Sequence, residues 1–182
     1  MDKVIGESTP PPIPETVKVS QEFQITSYSS LNGIGSGKYL ASDRFAVDGH
    51  DFAVYFYPDG KNADDGGAYV SIFIVLVSEA SKNVKALFEL GVLDQSGNQK
   101  HIVHSHFHTM PECGPYMLTC SGSMWGGGRE WPACAMATPK ILGYKRFLKK
   151  TDLETLGYLK DDCLIVNCSV GVVRSEDTHR GT

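Results

Sequence analysis

The sequence predicts an all-β fold, an eight-stranded antiparallel β-sandwich with one short helix. Three observations lead to this prediction. Short stretches alternate between apolar and polar residues with period two, turn residues separate these stretches about every ten residues, and helical periodicity is weak. The 182 residues suit a single domain that is long enough to bury a substantial core.

Ordered structure is expected to begin at Thr16, after a proline-rich tail over residues 1–15. Four prolines between positions 10 and 14 exclude a helix or a central strand in this tail. We interpret it as disordered, with a polyproline ligand as the alternative. Residues 17–25 then alternate between apolar and polar side chains, which predicts a half-buried first strand.

Further strands are predicted over residues 38–47, 52–57, 68–78, 84–93 and 162–173. The turn sequences between them are Asp48-Gly49, Tyr57-Pro-Asp-Gly60 and Asp94-Gln-Ser-Gly97. Residues 68–78 are apolar on both faces, so a second sheet or a ligand must cover each face. The best helix candidate spans residues 144–156, with an apolar side made by Phe147, Leu148 and Leu153.

Composition and charge argue against several function classes. The net charge of -4 provides no global basic field for nucleic acid, and the longest apolar run, residues 70–77, is too short to cross a membrane. The first residues lack the apolar core of a signal peptide. The basic run 145–150 is interpreted as the solvated side of a short helix. Five cysteines without a CxxC pair indicate free thiols in a reducing compartment.

No sequence feature supports catalysis or a cofactor. The glycine-rich residues 32–38 lack the spacing of a phosphate loop, and Tyr39 stands where that loop needs Ser or Thr. No nucleophile elbow or paired catalytic carboxylate is present. His104, His106 and His108 would share one side of a strand, which suggests a zinc site as an alternative function. The other interpretation of these histidines is a solvated edge strand.

Aromatic residues on several predicted strands suggest a binding cleft. Each one taken alone fits the core, but together they could line a shallow groove in which an extended peptide pairs through its backbone. The set comprises Phe73, Phe88, Tyr116, Trp125 and Tyr144.

Six short motifs lie at intervals along the chain: Tyr57-Pro-Asp-Gly60, Ala68-Tyr-Val-Ser-Ile-Phe73, Val84-Lys-Ala-Leu-Phe88-Glu-Leu, Ser123-Met-Trp125, Gly143-Tyr-Lys-Arg-Phe147 and Tyr158-Leu-Lys-Asp-Asp-Cys-Leu164. Together they resemble the MATH (meprin and TRAF homology) domain. Two further motifs, Val103-His-Ser-His-Phe107 and Gly171-Val-Val173, resemble the plant MATH-BTB adaptor subfamily. The similarity covers residues 16–175.

The resemblance implies an eight-stranded sandwich that docks short, extended, Ser/Thr-rich degron peptides of substrate proteins such as transcription factors. In family adaptors a BTB domain follows and binds a cullin, which makes the protein a substrate receptor of a ubiquitin ligase in the nucleus and cytoplasm. It implies no enzyme activity and no cofactor. The implied groove residues are Phe73, Phe88, Tyr116, Trp125 and Tyr144, with Lys145 as a polar neighbour.

Two features depart from the family pattern. The chain ends at Thr182 after a polar tail over residues 176–182, so we expect cullin binding only through a BTB domain that this chain lacks, and a non-productive or competing isoform is an alternative function. In addition, the family has a single glycine between the groove tryptophan and the next aromatic, whereas residues 127–143 are extra between Trp125 and Tyr144. We expect a loop insertion there, with non-coding sequence read through by altered splicing as the alternative. The fold could accept such an insertion, because the loop-closure entropy costs less than about 2 kcal/mol.

Overall fold

The structure, a computed structural model, describes residues 15–78, 84–107, 116–118 and 141–174. Within these ranges the regular secondary structure consists almost entirely of antiparallel strands. The elements in order are β1 (Thr16–Ile25), β2 (Leu40–Ala41), β3 (Phe45–Val47), β4 (His50–Tyr57), β5 (Tyr69–Leu76), β6 (Val84–Val92), β7 (Ile102–Ser105), β8 (Tyr116–Leu118), β9 (Ile141–Lys149), α1 (Lys150–Thr155) and β10 (Leu164–Val173), with 3-10 turns at Tyr28–Leu31 and Ala63–Asp65.

The described strands form two five-stranded sheets. In the first sheet the order is β1-β10-β6-β7, with β8 also paired to β6; in the second it is β2-β4-β5-β9, with β3 also paired to β4. The predicted all-β sandwich is therefore confirmed, but the predicted number of eight strands is wrong. One reason is that residues 38–47 form two strands, because the Ser42 hydroxyl replaces a backbone carbonyl as acceptor for the Val54 N–H at 2.8 Å and interrupts the ladder.

The core lies between the sheets and follows the predicted alternation. Every second residue of β4, β5, β6 and β10 is buried against the opposite sheet, which is the pattern expected when one face of a strand packs inward. The largest fully buried side chains include Phe52, Phe56, Ile72, Ile74, Leu90 and Leu164.

The predicted hairpin at Asp48-Gly49 is confirmed. Val47 pairs with His50, so two residues make the turn, and both have a positive φ, 48° for Asp48 and 80° for Gly49. Two successive positive φ values define the type I′ turn, whose twist matches that of the flanking strands.

The helix predicted over residues 144–156 is wrong over its first half. Strand β9 continues to Lys149, and α1 contains only six residues, Lys150–Thr155. The apolar residues of the predicted helix are buried, but they belong to two elements: Phe147 and Leu148 lie in β9, and Leu153 lies in α1. An irregularity in the β5–β9 register between Val70 and Ile72 lets the adjacent residues 147 and 148 both face the core.

A buried carboxylate holds the glycine-rich loop at residues 32–38, whose composition is similar to that of a phosphate loop. Asp59 accepts hydrogen bonds from the backbone N–H groups of Gly33 at 3.3 Å and Gly35 at 2.8 Å and forms an ion pair with Lys150 at the start of α1. Burial alone would raise the pKa of Asp59, but the hydrogen bonds from Lys150, Gly35 and Gly33 lower it below its usual range. The N–H groups that a phosphate would need are thus already used.

The described cysteines are buried thiols. Cys163 and Cys168 are both free, and burial raises the pKa of Cys168 well above its usual range. The remaining three cysteines, the tail 1–14 and the tail 176–182 lie outside the described residues. In the part of the chain that the structure describes, no helix is both long and apolar enough to cross a membrane.

Candidate functional site

Side chains from both sheets meet at the edge of the sandwich where β7 and β9 end the two strand orders. We call this group the aromatic cluster. The first sheet contributes Phe88 from β6, His104 from β7, His106 immediately after β7, and Tyr116 from β8. The second sheet contributes Tyr144 and Phe147 from β9.

His106 lies at the centre of the aromatic cluster. Its Nε2 is hydrogen-bonded to the Tyr144 hydroxyl, and its Nδ1 is 3.1 Å from the Tyr116 hydroxyl. Its ring also stacks on Phe88, with 4.5 Å between the centroids and 24° between the planes. A neutral imidazole has one donor and one acceptor nitrogen, so one tyrosine donates to His106 and the other accepts from it. His106 therefore joins the two sheets across their open edge.

The environment favours the uncharged forms of His106 and Tyr144 near neutral pH. Burial, and then the nearby His104, lower the pKa of His106. Burial, and then the charge that Tyr116 would carry, raise the pKa of Tyr144. The cluster thus presents neutral hydroxyls above an apolar floor.

Exposure within the cluster is graded. Phe88 and Phe147 are buried, Tyr116 and Tyr144 are half-buried, and His104 is exposed. A ligand could therefore reach the two tyrosines and His104, whereas the two phenylalanines support them from below. Large aromatic side chains with one accessible polar end are typical of protein-binding surfaces.

The structure brings three of the predicted site residues together and places two elsewhere. Phe88, Tyr116 and Tyr144 lie in the aromatic cluster. Phe73 lies on the outer face of β5, where its ring packs edge-on against Tyr57 at 5.9 Å. Lys145 is exposed on β9 and lies close enough to Lys61, beside Phe73, to affect its pKa. Trp125 lies outside the described residues, so its relation to Tyr144 stays a prediction.

The outer face of the second sheet carries an aromatic row of its own. Tyr39 stacks on Tyr55 at 4.2 Å and lies 5.4 Å from Tyr57, which in turn contacts Phe73. The row ends at Lys61, whose Nζ lies 4.6 Å from the centre of the Phe73 ring. We call this set the outer aromatic row.

Sequence reasoning missed His104, His106 and Phe147 as parts of the site. The alternation of the histidines indicated that His104, His106 and His108 share one side of a strand, but it suggested a metal rather than tyrosine partners. Both ring nitrogens of His106 now face tyrosine hydroxyls, and in the described ranges no three His, Cys, Asp or Glu side chains come together as a metal site. His108 lies outside these ranges.

Strand β9 positions the site and is itself an edge strand. Among the described strands it pairs only with β5, so no described strand lies along the N–H and C=O groups of its other side. The segment expected to be an inserted loop, 127–143, is described only at residues 141–143, which form the beginning of β9 and pair with β5 from Val75 to Phe73. Gly143 lies at this contact, with a φ of 153°.

Comparisons with known proteins agree with this architecture. The family model described as "MATH domain" matches residues 20–170. The chain is similar to BTB/POZ and MATH domain-containing proteins 5 and 3 of Arabidopsis thaliana, each 48% identical over 175 residues, which is 96% of this chain and 38% of each relative. It is 51% identical over 164 residues to BTB/POZ and MATH domain-containing protein 4 of the same plant, which is 90% of this chain and 31% of that relative.

Proposed function

The chain belongs to the MATH domain family, and on this premise we propose that it is a protein-interaction domain that binds an extended segment of a partner protein. The proposal places that segment along β9, over the aromatic cluster. It assigns no catalytic step to the chain.

One observation carries the proposal: an edge strand, with no other described strand along its second side, lies directly beside half-buried aromatic side chains. An extended peptide added to β9 would gain backbone hydrogen bonds, while Tyr116 and Tyr144 would supply pockets for alternate side chains. This mode of binding separates affinity, given by the backbone, from specificity, given by the pockets. It needs neither a metal nor a general base.

The segment that fits best has one apolar residue and several serines or threonines. An apolar side chain would pack on Tyr144 and Tyr116 above the Phe88 floor. Small hydroxyl side chains would exchange hydrogen bonds with the tyrosine hydroxyls without the steric or desolvation cost of longer polar groups. A Ser/Thr-rich degron of the kind that the family resemblance implies has this composition.

We infer that the bound segment belongs to a substrate protein such as a transcription factor. The relatives carry a BTB/POZ domain as well as a MATH domain, as their names state, and this chain spans 38% of the length of the first two. We therefore place the domain in a cullin-based ubiquitin ligase adaptor that works in the nucleus and cytoplasm, with the BTB domain contacting the cullin and the MATH domain contacting the substrate.

The test is a binding assay with the purified chain and two peptide libraries, one with an apolar residue followed by Ser/Thr positions and one with the same residues scrambled. We expect selection of the ordered library, with a Kd on the order of micromolar for the best peptides, about -8 kcal/mol. Tyr144→Ala should weaken these peptides about thirtyfold, because loss of an aromatic anchor costs about 2 kcal/mol.

The matched control is Phe23→Ala. Phe23 is also a half-buried aromatic residue on an edge strand, but it lies in β1, at the opposite end of the first sheet. Thermal unfolding of both variants would check that they fold. Equal peptide binding by the wild type and folded Tyr144→Ala would exclude the site.

A further inference from the structure

A buried serine on the outer face of the second sheet holds two lysines side by side. The Ser71 hydroxyl, fully buried, accepts a hydrogen bond from the backbone N–H of Lys61 at 2.9 Å and donates one to the backbone carbonyl of Lys145. One oxygen thus connects the loop after β4 to strand β9. The backbones of the two lysines are therefore held next to each other.

The side chains of these lysines differ from the other basic groups nearby. Arg146 is paired with Asp65, and Lys150 is paired with Asp59. Among the residues that the structure describes, neither Lys61 nor Lys145 forms an ion pair with a carboxylate. Within the described part of the chain, these two positive charges are therefore left without a paired carboxylate, on a protein whose net charge is -4.

The Lys61 side chain is also fixed and partly dehydrated. Its Nζ lies 4.6 Å from the centre of the Phe73 ring, and the residue is half-buried at the end of the outer aromatic row. Burial, and then the charge of Lys145, lower the pKa of Lys61. An ammonium group beside a second positive charge with little water around it gains most from an anion placed between them.

We propose that Lys61 and Lys145 form an anion subsite that receives a phosphorylated or acidic side chain of the bound peptide. The inference rests on the proposed function, because the anion is carried by the segment that binds along β9. Successive residues of a strand point to opposite faces, so Tyr144 and Lys145 present an aromatic and a cationic contact one residue apart.

The geometry favours a side chain of the peptide over a free ion. The two ammonium groups are donors without a fixed planar fork, which suits a compact anion such as phosphate or carboxylate but gives little affinity to an ion that must be captured alone. Covalent connection to a peptide already held along β9 raises the effective concentration of the anion at the subsite.

The experiment uses three degenerate peptide libraries that share one apolar position and differ only at one downstream position, which is serine, glutamate or phosphoserine. With the purified wild-type chain we expect the acidic and phosphorylated libraries to bind about tenfold more tightly than the serine library, as for a charge-assisted contact. The relative binding of the glutamate and phosphoserine libraries then identifies the source of the anion.

Lys61→Gln and Lys145→Gln should each reduce that preference to about twofold. The matched control is Lys18→Gln. Lys18 also lies over an aromatic ring, with its Nζ 4.0 Å from the centre of Phe107, but it belongs to β1 in the other sheet. This control should keep the full preference.

The failures of the two proposals can be told apart. Serine peptides that bind with no preference for an anion, or a preference that survives both lysine variants, would overturn the subsite and leave the peptide site intact. Absence of binding to all three libraries would overturn the proposed function and the subsite with it.

Discussion

The contact between β5 and β9 predicts that Gly143→Ala destabilises the domain severely. A Cβ at position 143 would lie 2.2 Å from the carbonyl oxygen of Ile72 and 2.7 Å from the Cα of Phe73. Both are backbone atoms of the paired strand, so no side-chain rotation can relieve the overlap. The φ of 153° is also unfavourable for any residue with a Cβ.

Two contributions determine how much unfolding free energy Gly143→Ala should lose. The unfavourable φ costs of order 1–3 kcal/mol, and forcing an additional methyl group into a packed contact costs about 1–3 kcal/mol more. We therefore expect a loss of about 4 kcal/mol, which is a large part of the 5–15 kcal/mol that is typical of a domain. In a chain of this size, this corresponds to a fall in Tm of roughly 10 °C.

Urea unfolding of the wild type, Gly143→Ala and Gly97→Ala would measure the two terms separately. Gly97 also has a positive φ, 89°, but a Cβ there would have no atom within 4 Å, so this variant reports backbone strain alone. Gly143→Ala should lose at least about 2 kcal/mol more than Gly97→Ala. Equal losses for the two variants would refute the reasoning that β9 is held against β5 at this glycine.

Three further predictions concern polar groups. Asp59→Asn should cost about 2–3 kcal/mol in urea unfolding, because it leaves the half-buried ammonium group of Lys150 without its carboxylate, whereas Asp48→Asn, at an exposed ion pair, should cost far less. His106→Gln should flatten the dependence of stability on pH. A lowered pKa means that the unfolded chain takes up the proton first, so the contribution of His106 is full above pH about 6.5 and is lost as the pH falls through its folded-state value. Parallel profiles of stability against pH for the wild type and His106→Gln would contradict this prediction. Ser71→Ala should cost about 2 kcal/mol, because it leaves the part-buried N–H of Lys61 and the part-buried carbonyl of Lys145 without their partner. It should also abolish the preference for acidic peptides, and an unchanged Tm would count against it.

The sequence was sufficient for those features of the fold that depend on local pattern. The core-facing residues of β10 are the apolar ones at every second position from Leu164 to Val172, and the Asp48-Gly49 dipeptide determines its turn through its own φ preferences. Resemblance to the MATH family brought Phe88, Tyr116 and Tyr144 into one predicted groove, and the structure places these three in contact. That they bind a peptide stays a prediction.

Features that depend on the opposite sheet could not be predicted in this way. Residues 144–149 have an amphipathic pattern that a helix and an irregular strand share, and only pairing with β5 decides between them. Similarly, β5 is apolar on both faces, so the sequence does not reveal that Ile72 faces the core and Phe73 the outer aromatic row. The face of the strand on which His106 lies can be predicted from the alternation. Its tyrosine partners cannot, because they belong to other strands of the sandwich.

The register irregularity opposite Ser71 connects these features. Because β9 departs from regular pairing between Val70 and Ile72, Ser71 can bond to the carbonyl of Lys145 rather than leave it unpaired at the bend. The same bend allows Phe147 and Tyr144 to face His104 together. One local deviation in an edge strand therefore orients the aromatic cluster on one face and the paired lysines on the other. A peptide bound along β9 would contact both, so the proposed apolar and anionic preferences should appear at neighbouring peptide positions.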